Sequence, residues 1–153
     1  MKTLILTAAA ALTLGTVVLA DSHADVDPAV KARQAHMQLY SFNLGILGGM
    51  AQGKIDYDAD AAQTAADNLA AMAGIDETAY WVAGTDNASI DGTIALPAIW
   101  DNMDDFIAKQ EAIKTASLAM ADVAGSGLEG LQGAMGDLGG TCSACHREYR
   151  ARN

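Results

Sequence analysis

Basic residues are scarce in this chain of 153 residues, which has 9 Lys and Arg against 19 Asp and Glu and a formal net charge of −10. Proteins that bind nucleic acid or an anionic membrane surface need clustered positive charge to neutralise phosphates, so we expect neither partner. Only 2 prolines and 2 cysteines occur. So little proline is untypical of an all-β fold. Two cysteines allow at most one disulfide, which is too few to be the main stabilisation of a domain of this length. These absences favour helices.

Aromatic residues are also few, at 5% of the chain, although hydrophobic residues make up 51%. The apolar fraction is therefore mostly Ala, Leu, Met and Ile, and it is too large for a disordered chain. A chain of this length is expected to form one domain with a core of its own. We expect an all-α protein.

The N-terminus has the pattern of a secretory signal peptide. Lys2 precedes an uncharged apolar stretch, and a triplet of small residue, histidine and small residue ends at Ala24. This pattern predicts that residues 1–24 are a cleaved signal peptide, that residues 25–153 form the mature domain, and that the protein is exported to the bacterial periplasm. A retained membrane anchor is the alternative, since the apolar stretch approaches the length that spans a bilayer.

Four segments carry apolar residues at alternating steps of three and four, the spacing of one helix face. The first segment begins where Asp27 can cap a helix and Pro28 can occupy its first position. The others are expected over residues 59–73, from Pro97 onward, and in a fourth segment near the C-terminus. Their inward faces are Val30, Arg33, Met37, Tyr40, Leu44 and Leu47; Ala62, Ala65, Ala66, Leu69 and Met72; Ile99, Met103, Phe106, Ile113 and Met120; and Leu128, Leu131, Met135, Leu138, Cys142, Cys145 and Tyr149.

Residues 75–96 lack this periodicity and form the longest expected connection. Because the other loops are short or medium, the four amphipathic segments favour an antiparallel four-helix bundle. Arg33 stands out on the first inward face, since a buried cation needs a compensating partner. The alternative for Arg33 is a solvated position near the helix start.

The sequence from Cys142 to His146 is Cys-x-x-Cys-His, the attachment pattern of a c-type haem. Residues three apart share a helix face, so both thiols can reach one porphyrin edge while His146 takes the iron axially. A thioredoxin-like redox pair lacks its βαβ context, and a zinc site lacks further ligands nearby. A structural disulfide would leave His146 without a role. We therefore expect one haem c, bound covalently through Cys142 and Cys145.

This late attachment site on a four-helix pattern resembles the cytochrome c′ family, the class II c-type cytochromes. The resemblance covers residues 25–153 and is densest over residues 31–37, 99–106 and 138–150. It implies a four-helix bundle with a covalent haem near the C-terminus. Members of the family are commonly homodimers built through their first two helices, so the resemblance also implies a homodimer.

The resemblance implies roles for individual residues as well. His146 corresponds to the proximal iron ligand, and Arg150 to an arginine near the proximal face. Arg33 corresponds to an arginine that approaches the haem propionates, with Gln34 in the same neighbourhood, and a propionate would compensate the buried cation. The alternative for Arg150 is a cation placed at the helix C-terminus by the macrodipole.

Met37 falls on the distal position of the family. In cytochromes c′ an apolar residue there blocks the sixth site of the iron without binding it, which leaves the iron open to nitric oxide and carbon monoxide. In relatives resembling cytochrome c-556, a methionine at this place ligates the iron and makes it low-spin. Arg33 favours the first alternative, because low-spin members commonly lack that arginine. His36, about 100° around the helix from Met37, is expected at a flank or interface.

The sequence therefore predicts a periplasmic haem protein with a largely five-coordinate iron that binds diatomic gases and can transfer electrons. The alternative is a low-spin electron carrier whose iron is ligated by Met37 and His146. We do not expect an enzyme, because no distal histidine accompanied by an acid/base pair is recognisable. The sequence does not identify a redox partner.

Overall fold

The computed structural model describes residues 26–152. The predicted signal peptide and its cleavage after Ala24 lie outside these residues and stay predictions. None of the helices in the described part combines the length and the apolar character that crossing a membrane requires.

The fold is all-α, as the sequence predicts. Its elements are α1 (Pro28–Ala51), α2 (Ala59–Ala73), a 3₁₀ turn (Thr78–Tyr80), α3 (Ala98–Asp101), α4 (Met103–Ala121) and α5 (Leu128–Tyr149). Both α1 and α4 pack against α2 and against α5. The four long helices therefore close into the predicted antiparallel four-helix bundle. Residues 75–96, which join α2 to α3, are called the connection below.

The predicted starts of α1 and α2 are confirmed by their caps. The Asp27 carboxylate accepts a hydrogen bond from the Ala29 N–H at 2.8 Å, and Pro28 occupies the first helical position. The Asp58 carboxylate accepts from the Ala61 N–H at 2.8 Å. Each cap satisfies a backbone donor that the first turn of a helix leaves without a partner.

The third predicted helix is interrupted at Asn102, which separates α3 from α4. Asn102 has φ −132° and ψ 48°, outside the helical region. Its side-chain amide donates to the Ala98 carbonyl oxygen at 3.3 Å, a local contact of the kind that competes with helix continuation. The prediction of one continuous helix from Pro97 was wrong at this residue.

Most of the buried hydrophobic side chains form two clusters. The apolar core lies between the long helices and consists of Tyr40, Leu47, Met50, Ala62, Ala65, Ala66, Leu69, Met120, Ala124, Leu131 and Leu138. The aromatic cluster consists of Ile99, Phe106 and Tyr149, with Trp81, Ala95, Ala98, Trp100, Met103 and Cys145 packed against them. Because most of these residues belong to the predicted inward faces, the periodic spacing located the interior of the bundle correctly.

The connection ends beside the C-terminus of α5. The Leu96 N–H donates to the Tyr149 carbonyl oxygen at 3.0 Å, and the Ala151 N–H donates to the Ile94 carbonyl oxygen at 2.9 Å. These bonds frame an isolated antiparallel bridge to Arg150. The aperiodic segment is therefore fastened next to the Cys-x-x-Cys-His motif.

Candidate functional site

The two cysteines of the motif lie half-buried on α5 and form no disulfide. Cys145 packs against the aromatic cluster, and the Cys142 Sγ lies 3.6 Å from the Leu138 carbonyl oxygen. Burial raises the pKa of Cys142, and it raises the pKa of Cys145 to about 11. Redox-active cysteines have lowered pKa values, so these thiols lack the feature that is typical of a thioredoxin-like pair.

Aromatic rings form the wall beside Cys145. Trp81 and Phe106 meet edge to face with ring centroids 4.6 Å apart, and Phe106 meets Tyr149 in the same way at 5.4 Å. The Tyr149 hydroxyl donates to Asp105 Oδ2 at 2.5 Å. Burial, and then the contact with Asp105, raises the pKa of Tyr149 to about 12. The wall is therefore apolar towards Cys145, while its tyrosine hydroxyl has a polar partner.

His146 leaves its imidazole exposed at the last turn of α5. Partial desolvation of the ring, followed by the charge of Arg150, lowers the pKa of His146. Arg150 Nη1 lies 3.5 Å from His146 Nδ1, and Arg150 itself caps α5 with extended φ and ψ. A neutral imidazole is the form that binds iron, so the surroundings of His146 suit a metal ligand.

Arg33 is buried, with 4% of its surface exposed, so the alternative of a solvated position is wrong. Its Nη1 donates to the Tyr80 carbonyl oxygen at 3.2 Å and to Thr85 Oγ1 at 2.7 Å. Its Nη2 donates to the Thr85 carbonyl oxygen and to Thr93 Oγ1. The guanidinium also lies over the Trp81 ring, with Cζ 5.1 Å from the ring centroid. Oxygens of the connection thus compensate the cation, and the approach of Arg33 to a propionate stays a prediction.

Gln34 holds the far end of the connection. Its Nε2 donates to the Gly92 carbonyl oxygen at 2.7 Å. Gly92 has φ +81°, and a Cβ at this position would lie 3.3 Å from a methyl carbon of Val26. The left-handed backbone and the close approach both favour glycine here. Arg33 and Gln34 are adjacent on α1 and each binds the connection, while their approach to the propionates stays a prediction.

The sequence placed Met37 on the inward face of α1 and His36 at a flank or interface, but the structure exposes Met37 and buries His36. Met37 is 39% exposed, whereas His36 is only 5% exposed. The His36 ring lies 4.7 Å from the Tyr40 ring and 5.9 Å from the Tyr80 ring, and its Nε2 is 3.5 Å from Glu77 Oε1. The expectation of a flank or interface position for His36 was wrong, because the connection folds over this side of α1.

Glu77 is a largely covered residue of this site that sequence reasoning missed. Its side chain is 11% exposed. Its Oε2 accepts hydrogen bonds from Trp81 Nε1 at 3.0 Å and from Gln110 Nε2 at 2.9 Å. No spacing rule singles out one carboxylate in an aperiodic segment, so the sequence carries no signal for its burial.

These residues fit a covalently bound haem. Such a group needs two thiols on one helix face, an adjacent imidazole and apolar walls. Cys142 and Cys145 are unpaired and protonated, His146 follows them with its ring accessible, and aromatic side chains border Cys145. The donor set and its surroundings therefore match the prediction made from the motif.

Known proteins are similar to this chain in both sequence and fold. A family model described as Cytochrome C′ matches residues 28–150. The cytochrome c′ of Cereibacter sphaeroides is 34% identical over 129 residues, which cover 84% of this chain and 87% of that protein. Cytochrome c-554 of the same species is 38% identical over 135 residues, which cover 88% of each chain. A solved cytochrome c′ from Rhodobacter is 36% identical with a TM-score of 0.81, covering 85% of this chain and 100% of that one.

Proposed function

The chain belongs to the cytochrome c′ family, which binds haem c, and from this premise we propose that it is a periplasmic gas-binding haem protein. Its iron is largely five-coordinate, binds nitric oxide and carbon monoxide, and can also exchange electrons. The observation that carries the proposal is the burial of Arg33, which is 4% exposed, because low-spin relatives of the family commonly lack that arginine.

Individual residues take distinct parts in this proposal. Cys142 and Cys145 would hold the haem covalently, and His146 would be its iron ligand. Arg33 and Gln34 would bind near the propionates, and Arg150, whose Nη1 lies 3.5 Å from His146 Nδ1, near that iron ligand. When bound, haem iron supplies the gas binding and the one-electron chemistry.

Met37 covers the distal side in this proposal. Its side chain is apolar and flexible, so it can move aside for a diatomic molecule without leaving a buried polar group unpaired. A related cytochrome c′ mutant from Alcaligenes xylosoxidans, 30% identical with a TM-score of 0.70, has been solved as a nitric oxide complex. That precedent supports nitric oxide as a ligand of this protein.

A homodimer through α1 and α2 is part of the proposal. Leu39 and Phe42 project from α1 with 54% and 67% of their surfaces exposed, so an apolar patch lies outside the bundle. A solved cytochrome c′ that is 29% identical shows ligand-controlled dimer dissociation. Its behaviour supports an interface between two copies of this chain.

An electron carrier is the second candidate, with Met37 as the sixth ligand of a low-spin iron. The presence of a thioether at this place favours it, as does 32% identity over 120 residues to a cytochrome c-556 of Agrobacterium tumefaciens. No catalytic activity is proposed in either case, since both candidates only bind a gas or pass an electron.

Optical spectra of the purified holoprotein test the two candidates. We expect high-spin spectra in both the ferric and the ferrous state. The ferrous spectrum should shift when carbon monoxide is added. Met37→Leu, which removes the thioether but keeps an apolar side chain, serves as the matched variant and should leave the spin state unchanged. A low-spin spectrum that becomes high-spin in Met37→Leu would overturn the five-coordinate proposal and support the electron carrier. The intact mass of the exported protein reports both the covalent haem and the removal of residues 1–24.

A further inference from the structure

Glu77 places a largely covered carboxylate where three elements meet. It lies in the connection immediately before the 3₁₀ turn, and its side chain is 11% exposed. Trp81 of the connection and Gln110 of α4 both donate hydrogen bonds to Oε2. His36 of α1 brings its Nε2 to 3.5 Å from Oε1. Side chains of α1, α4 and the connection therefore surround the Glu77 carboxylate.

The hydrogen-bond donors that hold Glu77 are neutral groups, an indole N–H and a primary amide. The nearby cation Arg33 directs its Nη atoms at oxygens of the connection, and the carboxylates that act on it most are Asp27 and Asp86. His36 Nε2 makes no hydrogen bond. The side chains that hydrogen-bond to Glu77 are therefore neutral dipoles, and the His36 imidazole lies beside its other oxygen, 3.5 Å from Oε1.

This charge lies close to the haem-bearing face of α5. Trp81, whose indole binds Glu77, packs in the aromatic cluster that also contacts Cys145. Burial raises the pKa of Tyr40 on α1, and the charge of Glu77 raises it further. Charges interact strongly through a poorly polarisable interior, so a group bound at Cys145 is exposed to the same field.

We propose that Glu77 lowers the reduction potential of the haem by providing a fixed negative charge beside the cluster that contacts Cys145. Ferric haem carries one more positive charge than ferrous haem, so a nearby anion stabilises the oxidised form. Arg33, whose Cζ lies 5.1 Å from the centroid of the Trp81 ring, acts in the opposite sense. The inference rests on the haem of the proposed function and adds a residue that sets its redox equilibrium.

Spectroelectrochemical titration of the holoprotein tests the proposal with Glu77→Gln, which removes the charge and keeps an amide oxygen as acceptor. We expect the midpoint potential to rise, so that the ferric-to-ferrous ratio at a fixed potential falls by roughly threefold to tenfold, where tenfold corresponds to about 59 mV. Glu111→Gln is the matched control, because Glu111 is 66% exposed and pairs with Lys114 at the surface. The same change of net charge there should leave the ratio nearly unchanged.

Glu77→Asp separates the charge from the shape of the side chain. If the charge acts, Asp restores a potential close to that of the wild type, and thermal unfolding confirms that both variants remain folded. Equal shifts in the Gln and Asp variants, or a shift in Glu111→Gln as large as in Glu77→Gln, would overturn the proposal. The potential is read independently of carbon monoxide binding, so a failure of the gas-binding proposal is seen separately.

Discussion

The apolar core and the contact between α1 and the connection are both buried, but different interactions hold them. In the apolar core, Leu47, Ala66 and Leu131 are fully buried side chains without polar atoms. Where the connection covers α1, the buried residues include Arg33 and His36. The first region is stabilised by removing apolar surface from water, and the second by hydrogen bonds that replace those made with water.

This difference decides how tolerant each region is to change. Apolar contacts are non-directional, so a bundle core accepts many side chains of similar volume. A buried guanidinium is directional, because each N–H needs an acceptor in one place. The first third of α1 therefore depends on the conformation of the connection, which Arg33 and Gln34 bind at Tyr80, Thr85 and Gly92.

Leu131→Ala tests the apolar core and carries the largest expected effect on stability. Leu131 is 0% exposed, so truncation removes buried methyl groups and leaves a cavity. We expect the free energy of unfolding to fall by about 2–5 kcal/mol in urea titrations of the holoprotein. Leu118→Ala, at a site that is 52% exposed, is the control and should change it little. A loss below that of the control would show that this part of the core repacks freely.

Arg33→Met tests the directional contacts of the connection. The apolar side chain fills similar space but leaves the Tyr80 and Thr85 carbonyl oxygens without their donor. We expect a loss of about 1.5–3 kcal/mol in the free energy of unfolding, with faster amide hydrogen exchange concentrated in residues 75–96.

The control for this change is Arg147→Met, since Arg147 is 60% exposed on α5. It should have a negligible effect on both measurements. Uniformly faster exchange across all helices of Arg33→Met would contradict the idea that Arg33 acts mainly by fastening the connection.

Gly136→Ala carries the smallest expected effect on the free energy of unfolding, and this effect is stabilising. Gly136 lies inside α5, and nothing lies within 4 Å of a Cβ placed there. Alanine restricts the unfolded chain and favours the helix, so thermal and urea unfolding should show a gain of about 0.5–1 kcal/mol.

Gly125→Ala is the opposite case, because its Cβ would lie 2.6 Å from Gln63 Oε1 and should destabilise the protein. A loss of stability in Gly136→Ala as well would mean that the surface of α5 at this residue is covered in the assembled holoprotein.

Local spacing was sufficient to predict the bundle, the start of α1 at Pro28 and the bounds 59–73 of α2. These features depend on residues within a few positions of one another, where the helical period and capping groups act. The break at Asn102 was missed because a single asparagine within an otherwise periodic segment reads as part of one helix, and only its backbone angles and its contact with Ala98 show otherwise.

The amino-acid sequence by itself determined the all-α class, most residues of the inward faces and the Cys142–His146 motif, because each follows from the spacing of neighbouring residues. Only the tertiary structure decided that His36 is buried, that Met37 is exposed and that Glu77 lies between α1 and α4. These outcomes depend on how the connection folds back over α1. Such contacts join residues far apart in sequence, and no periodic pattern in an aperiodic segment specifies which of its side chains will meet a helix.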